Sequence, residues 1–318
     1  MNTISIDLGG SRVKMGVVSE GKVIASAMLE SHSQAGLKPL LPKLEEVCRG
    51  WIEAYSIEAV GVACPSLVDA KNKKVLGHNG KYPDYAEVDL ERWSREKLHL
   101  PMVIENDANA AALGEGSYGS AAGCENFVLM ILGTGIGTAA VMDGKLIRGK
   151  HSQAGVLLGH TPLKVNGRPC AGCPGLGCAE AQASTWALKH MAEESPTQSP
   201  LKTESQLDFQ VLRRYWEQND PLAVELFEEC CAYWANCLIT LVYAYDPELI
   251  VLSGGVLGWG PALTERITGI VKERAWTPWG KLEFRLAENP QASVLLGLHA
   301  LCEDERKQSL WGERNEEK

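Results

Sequence analysis

Three glycine turns, a strand-end aspartate and a cysteine cluster with one histidine are the parts of this 318-residue chain whose types and spacing suit chemistry. The first turn, Asp7-Leu8-Gly9-Gly10-Ser11, lies between two strand-like runs. The second, Leu132-Gly133-Thr134-Gly135-Ile136-Gly137-Thr138, does the same in the second half. Lacking Cβ atoms, such turns let backbone N–H groups close on a ligand, which suits phosphate. Hairpins use glycine for structural reasons too, so either turn alone says little. Two of them, each opening one half of the chain, point to a shared use. A third pair, Ser253-Gly254-Gly255, follows a strand-like run at 249–252 and precedes a helix. Open α/β sheets hold ligands at such strand ends, and the adenosine part of a nucleotide would fit there. An ordinary strand-to-helix turn is the competing reading.

The segment Glu105-Asn106-Asp107-Ala108-Asn109 joins a strand end to a helix. For a lone Asp, an N-cap is the favoured reading. Beside phosphate-suited turns, Asp107 is instead placed to take the proton of an attacking hydroxyl, with Asn106 aligning the substrate. His160, Cys170, Cys173 and Cys178 make the Cys₃His ligand set of a structural Zn²⁺ site. With Gly172, Gly175 and Gly177 among them, these cysteines read as a metal knuckle rather than a disulfide; reduced thiols in a glycine-rich loop are the alternative. Glu180 opens the next helix, either fixed there by the knuckle or complementing the helix dipole.

These groups need a scaffold. Residues 3–8, 13–19 and 22–28 read as strands, with Glu20-Gly21 as a hairpin turn. An amphipathic stretch at 37–55, a strand at 59–63, a long loop, a helix at 90–98 and a strand at 102–105 follow. A second cycle begins with strands at 127–132, 136–142 and 145–148, the last two joined by Asp143-Gly144. Helices at 180–191, 208–218, 221–245, 261–274 and 292–301 complete it, with the strand at 249–252. The alternation predicts mainly parallel sheets covered by helices, and the repeated opening predicts two related α/β domains with a cleft between them. Residues 193–205, with two prolines, read as a surface loop, and the charged tail after Glu303 is expected to fray.

Composition narrows the function. A net charge of -9 without a basic run argues against a nucleic-acid partner. The N-terminus lacks the pattern of a signal peptide, and no apolar run approaches the roughly 20 residues of a membrane span, so a cytoplasmic protein with no membrane partner is expected. The other seven cysteines read as small buried hydrophobes.

On these residues the chain resembles the ROK family (repressors, open reading frames and kinases), whose sugar kinases belong to the actin-like ATPase superfamily. The likeness spans nearly the whole chain. Residues 7–16 resemble its first phosphate motif, D-x-G-G-T-x-x-x-x-G, with Ser11 for the threonine; Gly133 to Gly137 resemble the second, and Gly254-Gly255 the adenosine motif. Pro65-Ser66-Leu67-Val68-Asp69 resembles the P-G-x-V-D loop, and Asn79 the sugar-contacting Asn after it. Asn106-Asp107 match the E-N-D-A-N segment, whose Asp is the family's base. Gly159-His160 resembles the end of E-x-G-H, whose His binds sugar and zinc, and Cys173, Cys178 and Glu180 fit the knuckle and the sugar-binding Glu behind it.

The resemblance implies an ATP-dependent sugar kinase, similar to glucokinases and N-acetylhexosamine kinases, built as two actin-like ATPase (ribonuclease H-like) domains about a central cleft. Residues 1–118 would form the smaller domain, with 292–318 packing back on it, and 119–291 the larger one carrying the knuckle. Asp7, Gly9, Gly10, Ser11, Lys14, Gly133, Thr134, Gly135, Gly137, Gly254 and Gly255 would bind ATP, with Mg²⁺ held by Asp7 through water. Ser66, Asn79, Asn106, Asp107, His160 and Glu180 would bind the sugar, whose primary 6-hydroxyl receives the phosphate. A homodimer is implied as well. Three departures stand out. Leu157 replaces the glutamate of E-x-G-H, Cys170-Ala-Gly-Cys173 is one residue longer than the usual C-x-C, and Ser66 replaces a glycine. A repressor would carry a helix-turn-helix ahead of Asp7, for which the sequence leaves no room. A sugar-binding protein without catalysis is the remaining alternative.

Overall fold

Two tight hairpins set the geometry of two similar sheets. The structure, a computed structural model, describes the backbone of residues 1–77 and 80–316 and the side chains of residues 1–77 and 80–308. In chain order the first elements are β1 (Asn2–Leu8), β2 (Arg12–Ser19), β3 (Lys22–Glu30), α1 (Leu41–Ala54), β4 (Ile57–Cys64), β5 (Val68–Asp69) and β6 (Lys74–Val75). They continue with α2 (Leu90–Trp93), which passes into a π turn, β7 (Met102–Asn106) and α3 (Asp107–Tyr118). The second cycle holds β8 (Phe127–Leu132), β9 (Ile136–Met142), β10 (Lys145–Leu146), α4 (Ala179–Ala183), α5 (Leu188–Glu194), α6 (Phe209–Trp216) and α7 (Pro221–Tyr245). It closes with β11 (Leu249–Ser253), α8 (Pro261–Arg274), β12 (Glu283–Leu286) and α9 (Ser293–Glu316). At both hairpins the two turn residues are left-handed: Glu20 and Gly21 at φ 50° and 70°, Asp143 and Gly144 at 52° and 68°. That is the turn whose twist matches antiparallel strands.

The chain divides into two units, Met1–Gly123 with Arg148–Ala154 and Ala287–Lys318, and Cys124–Ile147 with Gly155–Leu286. In the first, the sheet order is β3-β2-β1-β4-β7, with β1, β4 and β7 parallel. In the second it is β10-β9-β8-β11-β12, with β8, β11 and β12 parallel. The two orders are the same when each set is numbered from its own first strand, so the repeated opening read in the sequence is a repeated sheet.

Within the first unit, α3 and α9 cross with almost no side chain between them. A Cβ on Gly114 would stand 1.9 Å from the Ser293 carbonyl oxygen, and one on Gly297 1.7 Å from that of Ala110. The small residues of α3 are therefore a packing requirement. Ser5 also donates to the Leu295 carbonyl at 2.8 Å, tying α9 to β1. In the second unit, α7 is the core helix. It starts at its cap Asp220, which accepts from Ala223 N, and buries Trp234, Leu238 and Leu241.

Several sequence expectations need correction. The helix read at 180–191 is two pieces, because the Ala183 carbonyl accepts from Trp234 Nε1 at 2.7 Å and Ser184 is extended. The strand read at 145–148 stops at Leu146. The 193–205 stretch begins inside α5 and carries a 3₁₀ turn, Pro200–Thr203, whose Leu201 is buried. The tail after Glu303 is helical to Glu316, with Arg306 paired to Glu58. Strand β12 was not read at all, since its alternation of Glu283 and Arg285 with Phe284 and Leu286 lasts only four residues and, at the sheet edge, buries none of them fully. Cys124 is only half-buried, unlike the other six cysteines outside the knuckle.

Gly297→Ala is expected to lower unfolding stability by about 2–3 kcal/mol or more, because both colliding groups are backbone. Denaturant unfolding monitored by circular dichroism would check this, and an unchanged midpoint would refute the helix crossing.

Candidate active site

The sheet register assembles the first unit's candidate residues. Asp7 pairs with Ala63 of β4, and Ala63 pairs with Glu105 of β7. Three parallel strands thus end together, and the Gly9-Gly10 turn, Ser66 and Asn106-Asp107 leave from that one edge, where open α/β sheets bind ligands. Gly9 N–H closes on the Asp7 carbonyl at 3.0 Å. Gly10 offers its carbonyl to the Ser31 and Ser33 hydroxyls, and Gly9 offers its own to Tyr82 Oη at 2.9 Å. Ser11 is exposed, and Lys14 stands opposite Asp7 on β2.

Asp107 is not the N-cap of α3. Asn106 is: its Oδ1 accepts from Ala108 N at 2.9 Å and Asn109 N at 3.1 Å. The Asn106 amide donates to the Ser66 carbonyl at 3.1 Å and to Asp107 Oδ1 at 2.9 Å. The side chain of Asn106 is thus fully engaged, in capping α3, in binding the Ser66 carbonyl and in orienting Asp107. Asp107 Oδ2 has no hydrogen-bond partner among the described residues. Burial raises the proton affinity of Asp107, against the pull of Lys81 and of its hydrogen bonds from Ala108 N–H and Asn106. Asp7 is pushed up to about 6, first by burial and then by the Asp107 carboxylate, while Lys14 and Lys81 oppose the shift. Two desolvated carboxylates close enough to repel, with two cations about them, are an arrangement that raises proton affinity.

Behind Asp107 the fully buried Glu105 ties the turn down. Its Oε1 accepts from Asn106 N at 2.9 Å and Asn109 Nδ2 at 3.0 Å, and its Oε2 from Arg148 Nε at 3.0 Å. Arg148 is the first residue of the short segment that the first unit takes from beyond β10. Nothing in the sequence marked it. Ser66, the glycine replacement, turns its hydroxyl onto the Gly77 carbonyl. Asn79 lies outside the described residues.

In the second unit the Gly133–Gly137 turn is the centre. Glu180 Oε2 accepts from Ile136 N at 2.8 Å, and a Cβ on Gly135 would stand 2.3 Å from that oxygen. Thr185 donates to the Gly133 carbonyl at 2.8 Å. A Cβ on Gly159 would meet the Ile136 carbonyl at 2.2 Å, which draws His160 to the same place. Thr134 is exposed at the tip. Gly254, at φ 105°, lies with its Cα so near Leu132 that a Cβ would come within 2.1 Å of the carbonyl oxygen, so glycine is required there. The third pair therefore borders the second turn. A cavity of about 430 Å³ opens beside Gly255, lined also by Phe209, Gln210, Arg213, Val256 and Trp259.

The donor atoms of His160, Cys170, Cys173 and Cys178 all lie within 4.8 Å of one another, and Cys170 Sγ is 3.5 Å from His160 Nδ1. Tetrahedral Zn²⁺ with Zn–S near 2.3 Å spaces its sulfurs by about 3.8 Å, so the four residues fit that ion, Cys170 included. A Cβ on Gly172 would stand 3.0 Å from His160 Cε1 and 3.1 Å from Glu180 Oε1, which leaves no room for a side chain beside these two. Leu157 begins the single 3₁₀ turn that ends at His160.

The duplicated sheet with ligand turns at its parallel strand ends is the actin-like ATPase fold. The structure is similar to a glucokinase from Streptomyces griseus solved with glucose and AMPPNP, at TM-score 0.78 and 27% identity, covering 95% of this chain and 99% of that one. It is similar at the same TM-score to a hexokinase from Thermus thermophilus, with 30% identity over 94% and 96% of the two chains. A glucokinase from Thermotoga maritima is 27% identical over 275 residues, 83% of this chain and 84% of its own. Residues 3–305 match the ROK family model, and the chain belongs to the ROK family. No helix among the described residues is long and apolar enough to cross a membrane.

Replacing Arg148 by Met would leave the Glu105 carboxylate buried against neutral donors only. A loss of about 3–5 kcal/mol of stability is expected, with most of it recovered in the double variant carrying Glu105→Gln. Urea unfolding of the three proteins would measure this.

Proposed function

We propose that the protein is an ATP-dependent sugar kinase that phosphorylates the primary 6-hydroxyl of a hexose, or of an amino or N-acetyl hexose, with Asp107 as general base. The observation that carries this reading is the unengaged Oδ2 of Asp107, held in place by Asn106 after Asn106 has taken over the capping role.

In the reaction the sugar oxygen bonds to the γ-phosphorus, the bond from that phosphorus to the bridging oxygen breaks, and the electron pair leaves with ADP. Asp107 takes the hydroxyl proton. In the first unit, the Gly9-Gly10 turn and Lys14 would bear on the phosphates. In the second, Gly133 to Gly137 would do so, and the cavity beside Gly255 would receive the base and ribose. Mg²⁺, when bound, supplies charge neutralisation on the phosphates, and Asp7 is the residue to hold it through water. Zn²⁺, when bound, supplies a cross-link among four side chains, fixing His160 and Glu180, which would hold sugar hydroxyls. Leu157 can accept no hydrogen bond where the family has a glutamate, which favours a sugar other than plain glucose. That residue also supports the second reading, a sugar-binding protein without turnover.

A coupled ADP-release assay across hexoses, hexosamines and N-acetylhexosamines separates the two readings; no release with any sugar would leave only the second. Asp107→Asn should lower kcat by about 10²–10⁴-fold with ATP binding retained. Because the ionised form of Asp107 is the active one and burial raises its proton affinity, the rate should fall as pH drops through a range above the ordinary carboxylate value. A limb near pH 4 would contradict this. Elemental analysis should find one zinc per chain, and Cys170→Ser should lower that content together with the unfolding temperature.

A further inference from the structure

The segment Gly80-Lys81-Tyr82 is stitched across the first glycine turn. Gln34 Nε2 donates to the Gly80 carbonyl at 2.7 Å, Tyr82 N donates to the Ser33 carbonyl at 2.9 Å, and Tyr82 Oη reaches the Gly9 carbonyl. Tyr82 is fully buried and held at φ 48°, a left-handed conformation that costs a non-glycine residue about 1–2 kcal/mol. Strain of this kind persists where surrounding contacts over-determine it, and it collects at functional sites. Its effect is to lay Lys81 over the turn. A Cβ on Gly10 would stand 3.5, 3.1 and 2.9 Å from Lys81 Cγ, Cδ and Ce in sequence, so three methylenes run along the glycine and the ammonium continues past it. No carboxylate among the described residues forms an ion pair with that ammonium.

We propose that Lys81 is a further catalytic residue, whose ammonium takes the charge of the terminal phosphoryl group carried on the Gly9-Gly10 turn. The inference rests on the kinase reading and adds a residue to it. The charged groups on which Lys81 acts are Asp7 from β1 and Asp107 from α3, and Lys14 from β2 acts on Asp7 as well. Lys81 is a common partner of both carboxylates and favours the ionised form of each. During transfer Lys81 forms no bond and gives up no proton. Its charge opposes that developing on the phosphoryl oxygens while the sugar oxygen bonds and ADP departs. A planar guanidinium can carry the same charge, whereas a methionine fills the same space over Gly10 without it.

The test compares Lys81→Met and Lys81→Arg with the unaltered protein. Lys81→Met is expected to lose about 100-fold in kcat, to bind ATP about tenfold more weakly by calorimetry, and to bind ADP and sugar within twofold of the unaltered protein. Lys81→Arg should recover most of the rate. The proposal is overturned if Lys81→Met keeps kcat within threefold, or if ATP and ADP weaken equally, which would mark a general effect on the turn. Should the unaltered protein release no ADP with any sugar, the kinase reading fails while the comparison of ATP with ADP still decides the role of Lys81.

Discussion

Glu105 is the group on which the candidate site depends. It is a fully buried carboxylate, and a guanidinium and two N–H donors surround it. Those same bonds fix the last residue of β7 and the first turn of α3. Asn106 can then cap the helix and spend its amide on Asp107, which leaves one carboxylate oxygen uncommitted. A weakly held Glu105 would let this turn relax, and Asp107 would become an ordinary helix-start carboxylate.

Each unit solves the same problem with the same topology. A hairpin followed by parallel strands places a glycine turn at the end of the first strand, next to the end of its parallel neighbour. In the first unit that neighbour leads to the strand bearing Asp107. In the second it leads directly to Gly254, packed against the start of the turn. The second unit then adds Glu180 and His160 around Ile136, whose N–H and carbonyl are both met at close range. The Cys/His cluster lies beside these residues, so its four donor atoms and the Glu180 carboxylate are parts of one local arrangement.

Much of the fold was legible because its signals are local. Glu20-Gly21 and Asp143-Gly144 can adopt the left-handed pairs a tight hairpin needs, and the apolar runs at 59–63 and 127–132 are those of strands buried on both faces. The cysteine spacing was enough to gather the knuckle residues, including Cys170 across its longer loop. The break at Ser184 was hidden because its cause is Trp234, fifty residues away. The edge strand β12 was hidden because its alternation of polar and apolar residues runs for only four positions, the low end of what reading a strand relies on. The charged tail looked ready to fray because helix propensity is counted locally, whereas Glu58 and Lys73 pair with it from elsewhere in the first unit.

The amino-acid sequence by itself carried most of the order of elements, the phosphate-suited turns, the strand-end aspartate and the clustering of His160 with three cysteines, since each is carried by residue type at short spacing. Only the tertiary structure decided that Asn106 and not Asp107 caps the helix, that Arg148 is the partner of Glu105, and that Lys81 lies over Gly10. Those are matters of direction and long-range approach: which lone pair is already used, which buried charge has found its counter-charge, and which stem covers a bare Cα. The cap itself is local, but the bonds from Asn106 to Ser66 and from Arg148 to Glu105 join residues 40 and 43 positions apart, and contacts of that reach leave no periodic trace along the chain.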